Sequence, residues 1–324
     1  MSQPASHPHL SQGLFRFAED VRHGLASTPR QLNPAYFYDA LGSCLFDAIC
    51  LLPSYPITRT ETGLLAEHAG QIVAGLPDPA CLIELGCGNG EKISRLVEAL
   101  DHAGRHVAVH LVDISAAALE ETARQLERWP EVSVTTHQEM FEPGLQQAVA
   151  QCGQRGAVMV LFLGSNIGNF DAPGAGRFLA TVRDCLRHGD RLLLGVDLVK
   201  AEAELLLAYD DPLGVTAAFN KNLLQRINRE LGGNFDLRGF DHQVHWNAAA
   251  ARIEMHLRAN RQQRVSIPAA GCTVDFAPGE GIWTESSYKY RPEQIAILAG
   301  SQGFSCEFQL LDAGRSFALN YLVA

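Results

Sequence analysis

A chain of 324 residues, 47% hydrophobic and 19% charged, can bury a substantial core and is long enough for two domains or one domain with a large insertion. Its formal net charge of −10 argues against a non-specific nucleic acid binder, which carries a basic face. No apolar run is long enough to span a bilayer and the polar N-terminus lacks a signal peptide's apolar segment, so a cytoplasmic protein without a membrane partner is expected.

Residues 10–27 carry Leu14, Phe17, Val21 and Leu25 at helical spacing, and Thr28-Pro29 stops the pattern. A second helix-like stretch holds Leu45, Phe46 and Ile49. Leu52-Pro53-Ser54-Tyr55-Pro56 is a rigid turn, and Thr58-x-x-Glu61 reads as a capping box opening a helix with Leu65, Ala69, Ile72 and Val73. Tyr38 and Tyr55 flank this region, either lining a pocket or serving as core aromatics. Next, Cys81-Leu-Ile-Glu-Leu is an apolar run, Gly86, Gly88 and Gly90 follow at alternate positions, and Ile93, Leu96, Val97 and Leu100 mark a helix. That is a strand, a glycine turn and a helix.

Val107–Asp113 reads as a second strand with an acid at its end, placed to accept hydrogen bonds from a ribose diol. Ser115 caps a helix to about Arg128, and Val132-Ser-Val-Thr-Thr is a third strand. Residues 157–163 are unbroken apolar sequence, as in a central parallel strand covered on both faces, and empty into Gly164-Ser165-Asn166-Ile167-Gly168-Asn169. A helix with Phe178, Val182 and Leu186 leads to a fifth strand, 191–197. Residues 200–284 then read as helices near 209 and 216–231 and alternating strands such as 252–258. A short helix after Arg291-Pro292 and two strands, 306–311 and 317–323, close the chain.

The glycine turn fits neither phosphate-binding fingerprint. Glu91 stands where a dinucleotide site has its third glycine, and Lys92 lacks the preceding glycine of a phosphate loop. What remains, Glu84-x-Gly86-x-Gly88-x-Gly90, resembles motif I of class I S-adenosylmethionine-dependent methyltransferases. That cofactor carries an amino acid moiety and a sulfonium but no phosphate, so an acid-flanked turn suits it. The resemblance implies an α/β fold: a doubly wound, Rossmann-like sheet closed by the terminal helix and hairpin. Residues 61–199 plus 286–324 would form the cofactor-binding domain, and 10–60 plus 200–285 a discontinuous, inserted α+β substrate-binding domain.

Further blocks narrow the resemblance. They are Tyr38-Asp39-x-x-Gly42-Ser43-x-Leu45-Phe46, Tyr55-Pro56-x-Thr58-Arg59-x-Glu61, Phe162-Leu163-Gly164-Ser165-x-Ile167-Gly168-Asn169, Ala208-Tyr209-Asp210-Asp211-Pro212, Gly214-Val215-Thr216-Ala217 and Thr284-Glu285-x-Ser287. In this order, from about residue 30 to the C-terminus, they resemble the L-histidine Nα-methyltransferase family of the ergothioneine pathway. The resemblance implies transfer of three methyl groups from S-adenosylmethionine to the histidine α-amine, giving histidine betaine. Carried over by motif, Glu84, Gly86, Gly88, Lys92, Asp113 and Phe141 would contact the cofactor. Asn169 would hold the α-amine and carboxylate, helped by Tyr209 and, through water, Tyr55. Tyr38, Phe46 and Gly164 would surround the amine as it becomes a cation, with Tyr38, Tyr55 and Asn169 as the catalytic set. Glu285 and Ser287 would hydrogen-bond the imidazole, Met255 would pack on it, and Thr216 joins the substrate contacts.

One departure stands out in His137-Gln138-Glu139-Met140-Phe141-Glu142: the family's acid before the aromatic is replaced by Met140, with Gln138 and Glu139 as alternative substitutes. Eight scattered cysteines form no Cys-x-x-Cys pair and are expected to be reduced and, where apolar sequence surrounds them, buried. His242-x-x-His245 has ligand-like spacing but no third ligand in sequence, so no metal site is expected. The expected partner is a small molecule, L-histidine, rather than nucleic acid or membrane, and the oligomeric state is open, a monomer included. Two other readings are an Nα-methyltransferase for another amino acid such as tryptophan, which Met255 with Glu285 opposes, and a non-catalytic cofactor sensor, which Tyr55, Asn169 and Tyr209 oppose.

Overall fold

The computed structural model describes residues 12–152 and 156–324. Residues 10 and 11, where the first expected helix and domain segment begin, lie outside the described residues. The chain opens with α1 (Gln12–Ala26), α2 (Ala40–Leu51) and α3 (Ile57–Val73). Strands and helices then alternate: β1 (Ala80–Leu85), α4 (Glu91–His102), β2 (Val107–Asp113), α5 (Ala116–Leu126), β3 (Val132–Gln138), α6 (Phe141–Cys152), β4 (Val158–Phe162), α7 (Ala172–Cys185) and β5 (Arg191–Asp197). Next come α8 (Glu202–Tyr209), α9 (Val215–Leu231), β6 (Phe240–Asn247), β7 (Arg252–Ala259), β8 (Gln263–Ile267), β9 (Cys272–Phe276) and β10 (Gly281–Tyr288). The chain closes with α10 (Pro292–Gly300), β11 (Ser305–Leu311) and β12 (Phe317–Val323).

A seven-stranded sheet runs in the order β11-β12-β5-β4-β1-β2-β3. The five strands from β5 to β3 are parallel, β12 is antiparallel to β5, and β11 pairs antiparallel with β12. Crossover helices explain the parallel strands, and the direct β11–β12 connection dictates the antiparallel hairpin. The strand order reverses between β1 and β4, which is where open α/β sheets bind ligands. Every residue of β4 is buried, as its continuous apolar run requires. The doubly wound, Rossmann-like α/β sheet with its terminal hairpin, expected from the sequence, is what the chain forms.

The chain separates into two compact units. The first comprises the described residues up to Leu45, with Asp210–His245 and Glu254–Glu285. In it Phe17 lies 4.2 Å from Tyr36 between ring centroids, and the Arg226 guanidinium covers both rings. Phe37 stacks on Phe219 of α9 at 4.5 Å, and Phe240 meets Phe276 edge-on. The second unit, Phe46–Tyr209 with Trp246–Ile253 and Ser286–Ala324, holds the seven-stranded sheet. Its core joins Ile83, Val160 and Leu194 of the sheet to Leu145 of α6, Phe178 and Val182 of α7 and Ile295 of α10.

Two sequence expectations are corrected, and one helix was not anticipated. Thr58 and Glu61 do not form a capping box: α3 starts at Ile57 with no side-chain cap, and Glu61 lies fully buried inside the helix. The helix α6 was unmarked because its first turn reads Phe141-Glu142-Pro143-Gly144, all turn chemistry except that proline is tolerated in a first helical turn. Gly144 there lets α6 close onto β2, because a Cβ would run into Val112. The second correction is that Cys81 and Cys152 are not thiols but a disulfide, since β1 and α6 pack together and bring their Cα atoms to 6.7 Å. The other six cysteines are free. Among the described residues no helix is long and apolar enough to cross a membrane.

Candidate active site

The glycine turn after β1 is built as its sequence demands. Gly86, Gly88 and Gly90 all have positive φ (79°, 52° and 74°), a region that side chains with a Cβ rarely enter. Gly86 donates its N–H to the Val112 carbonyl at 2.8 Å and faces the Phe141 ring, 3.5 Å from where its Cβ would be. A Cβ on Gly90 would collide with Thr122, whose hydroxyl holds the Gly88 carbonyl at 3.1 Å. Glu84 is buried, and one of its carboxylate oxygens has no hydrogen-bond partner among the described residues. Burial pushes its carboxyl well above the usual range, against the pull of Lys92. Asp113 ends β2 and accepts the Ser115 N–H at 2.8 Å. Burial raises its pKa, opposed by the N–H groups of Ser115, Gly88 and Cys87.

These features fit S-adenosylmethionine. The orphan Glu84 oxygen and the Asp113 carboxylate offer acceptors for an ammonium and a diol, and the open glycine backbone allows close approach. Nothing in the turn supplies a cation for a phosphate, because Lys92 is already committed. Its ammonium lies 2.6 Å from the Glu61 carboxylate. Burial lowers the Lys92 pKa, but the charges of Glu61 and Glu84 more than restore it. Both Glu61 oxygens also accept the N–H of Gly164, at 2.9 and 2.8 Å. Gly195 of β5 makes room for this carboxylate, which a Cβ would overlap.

The loop after β4 is fixed from both ends. Gly164 and Ser165 are left-handed (φ 75° and 58°), and the Ser165 hydroxyl accepts the Asp197 N–H at 2.9 Å. Gly168 passes the Tyr288 carbonyl so closely that a Cβ would sit 2.7 Å from it. Asn169 ends the following 3-10 turn, Asn166–Asn169, and its side-chain amide makes no hydrogen bond among the described residues. Phe141, which opens α6, packs edge-on against Phe162. Beside it, Gln138 donates to the Ile114 carbonyl at 3.4 Å, and a Glu139 oxygen accepts the Met140 N–H at 2.9 Å.

Within the same unit, Phe46, Tyr55 and Tyr209 form one aromatic cluster, with Tyr55 edge-on to Phe46 (6.4 Å) and to Tyr209 (6.0 Å). The Tyr209 hydroxyl lies 2.8 Å from the Ser287 hydroxyl. Beneath both is Lys289, whose side chain is fully buried. It donates to Tyr209 Oη at 2.8 Å, to Ser287 Oγ at 2.9 Å and to Asp197 Oδ2 at 2.8 Å. Burial lowers the Lys289 pKa, but the Asp197 charge more than reverses this and keeps the ammonium protonated. An ammonium has three protons, so all of them are spent here. One of the two hydroxyls donates to the other, and the receiving hydroxyl must point its own proton away from the network.

In the first unit, Tyr38 lies edge-on to Phe219 at 5.8 Å. Asp39 next to it accepts from Asn222, Arg229 and the Gly42 N–H. Thr216 is buried in the first turn of α9, its N–H held by Asp211 at 2.8 Å. Met255 is buried in β7, and its carbonyl accepts the Thr284 hydroxyl at 3.0 Å. Glu285 follows on β10, its carbonyl held by the Trp283 indole at 2.8 Å. His242 contacts the Asn220 amide at 2.9 Å, and His245 meets the His256 ring, so these two histidines have ordinary packing partners.

The sequence did not single out Glu61, Asp197 or Lys289 as functional. Their signals were present: a buried-position acid inside an apolar helix pattern, and a lysine two residues beyond Ser287. Comparison with known proteins agrees with the geometry. The profile of the family described as histidine-specific, SAM-dependent methyltransferase matches residues 17–324. The chain is 40% identical over 305 residues to histidine N-alpha-methyltransferase of Mycolicibacterium smegmatis, covering 94% of each. It is 41% identical over 300 residues to histidine N-alpha-methyltransferase of Mycobacterium tuberculosis, covering 92% of each. It is also 34% identical over 211 residues to ergothioneine biosynthesis protein 1 of Neurospora crassa, covering 65% of this chain and 24% of that protein. The chain therefore belongs to the family of histidine-specific, S-adenosylmethionine-dependent methyltransferases.

Proposed function

We propose that this chain methylates the α-amine of L-histidine three times, giving histidine betaine for ergothioneine synthesis. The family match over residues 17–324 carries this reading. The unit that holds the seven-stranded sheet, Phe46–Tyr209 with Trp246–Ile253 and Ser286–Ala324, serves the cofactor in this reading. S-adenosylmethionine supplies the reactive methyl group on its sulfonium, held by Glu84, Gly86, Gly88, Asp113 and Phe141. Lys92 acts one step back, by fixing Glu61 and through it the Gly164 backbone.

The chain's own residues then have mainly to position a neutral amine, since alignment alone is worth several kcal/mol of barrier, on the order of 7–11. The unpaired amide of Asn169 holds the amine and carboxylate. Lys289 holds the oxygens of Tyr209 and Ser287 in place by donating to both, and with Ser287 donating to Tyr209 the Tyr209 hydroxyl serves as a donor to the carboxylate. Ser287 then keeps a lone pair for an imidazole N–H, and Glu285 completes the ring's pairing. A site with such committed polar groups rejects ligands that leave them unpaired. As methyl groups accumulate the amine loses its donors, and the faces of Tyr38, Phe46 and Tyr55 suit the resulting cation.

Proton removal from the amine falls to a tyrosine through water, Tyr55 or Tyr38. Tyr55→Phe and Tyr38→Phe are expected to lower kcat/KM for histidine by about tenfold or more near neutral pH. The loss should shrink as pH rises and more amine arrives neutral. Identical pH–rate profiles for the variants and the parent chain would remove the tyrosines from this step. Asp113→Ala is expected to weaken S-adenosylmethionine binding by roughly 10- to 100-fold, the worth of a hydrogen bond to a charged group. Isothermal titration measures it, and unchanged affinity would take Asp113 out of the cofactor site.

A further inference from the structure

Away from the candidate active site, sulfur and imidazole ligands converge between the sheet and α6. Cys81 stands near the start of β1, Cys152 ends α6, and His110 lies midway along β2. Their ligand atoms all lie within 4.8 Å of one another, and all three residues are buried. His137 of β3 is buried beside them, its Nε2 3.1 Å from Nδ1 of His110. We propose that, once the Cys81–Cys152 disulfide is reduced, Cys81, Cys152 and His110 bind a zinc ion, with His137 orienting the His110 ring.

The donor set selects the metal. Two sulfurs and an imidazole suit zinc, whereas calcium and magnesium require oxygen ligands, and this cluster contains no carboxylate. Charge selects it as well. Two thiolates and a divalent ion cancel, and a neutral imidazole adds nothing, so the complex can lie among Ile83, Leu145 and Ala148 without leaving a net charge buried. Bond lengths of about 2.3 Å to sulfur and 2.0 Å to nitrogen put tetrahedral ligand atoms roughly 3.3–3.8 Å apart, inside the present spread. The Cα separation of 6.7 Å, at the wide end of what a disulfide spans, leaves the freed sulfurs room to part. The Nδ1 contact with His137 does for His110 what the outer partner of a zinc-bound histidine commonly does, fixing ring orientation and tautomer. A cavity of about 460 Å³ lined by Cys81, Cys152, Val107, Ala108 and Ser133 provides the entry path and a fourth position for water.

The chemistry balances in two steps. A phosphine reductant attacks one sulfur, the S–S bond breaks, and water supplies the phosphine-oxide oxygen and the two thiol protons. Zinc then binds both sulfurs as thiolates and releases those two protons to solvent.

The test uses the full chain, reduced with tris(2-carboxyethyl)phosphine, desalted without oxygen and titrated with zinc chloride against a chromophoric indicator. One zinc per reduced chain is expected, and none at this affinity for the unreduced chain. Cys152→Ala should lose the site while still binding S-adenosylmethionine, which reports folding, and His137→Phe, which removes the partner of His110, should bind roughly 10- to 100-fold more weakly. Cobalt(II) added to the reduced parent chain should give thiolate-to-metal charge-transfer absorption. The proposal is overturned if the reduced chain takes up no zinc, if Cys152→Ala takes up as much, or if bound cobalt shows no thiolate band.

Discussion

Lys289→Met is expected to weaken histidine binding severely while leaving S-adenosylmethionine binding in place. The substitution keeps most of the side-chain volume but removes a fully buried ammonium and its three bonds. Asp197 would keep Lys200 as its charged partner, and Tyr209 and Ser287 would each lose the donor that holds its oxygen in place. Breaking a buried pair by removing one member typically costs about 3–5 kcal/mol, so the unfolding midpoint should fall clearly. The functional effect should be larger than stability alone explains. Histidine affinity is expected to drop at least about a hundredfold, roughly 2.7 kcal/mol, because the two hydroxyls that meet the ligand are no longer held in position. Titration calorimetry with each ligand separates the two effects. A merely structural Lys289 would weaken both ligands alike, in proportion to the unfolded fraction. Asp197→Asn combined with Lys289→Met should then be less than additive, since the two residues act as a pair.

Gly195→Ala should be nearly as severe, although it adds one methyl group to a strand interior. The new Cβ overlaps a Glu61 oxygen, and Glu61 cannot retreat because it is fully buried in α3. Moving it takes the acceptor from the Gly164 N–H and the counter-charge from Lys92. A loss of about 3–5 kcal/mol in denaturant unfolding is expected, the cost of an uncompensated buried charge. Glu61→Gln tests the same link without the steric insult. It keeps an oxygen for Gly164 but leaves Lys92 unpaired, so the double variant should lose little more than Gly195→Ala alone. Independent, additive losses would show that Gly195 and Glu61 do not act through one contact.

The sheet was legible because each of its strands carries a local signal. The apolar run of β4, the alternate glycines after β1 and the acid ending β2 each fix an element and the end of it that matters. α6 was not, because Pro143 and Gly144 look like a turn until the packing against Val112 is seen. Glu61 was misread for a related reason: Thr-x-x-Glu is a cap only if the helix begins at the threonine, and here it begins at Ile57. Tyr209 and Ser287 could be named from motif blocks, but Lys289 could not, since a lysine just past a strand is ordinarily solvated. Its meaning comes from the 92-residue span that returns it to Asp197. The disulfide was equally hidden, because its cysteines stand 71 residues apart in two elements that meet only in the folded sheet.

The most direct test of the account is mass spectrometry of the purified chain incubated with S-adenosylmethionine and an equimolar mixture of the proteinogenic amino acids. The account predicts that histidine alone gains mass, by three methyl groups, with a matching amount of S-adenosylhomocysteine. Methylation of a different amino acid, with histidine untouched, would contradict it.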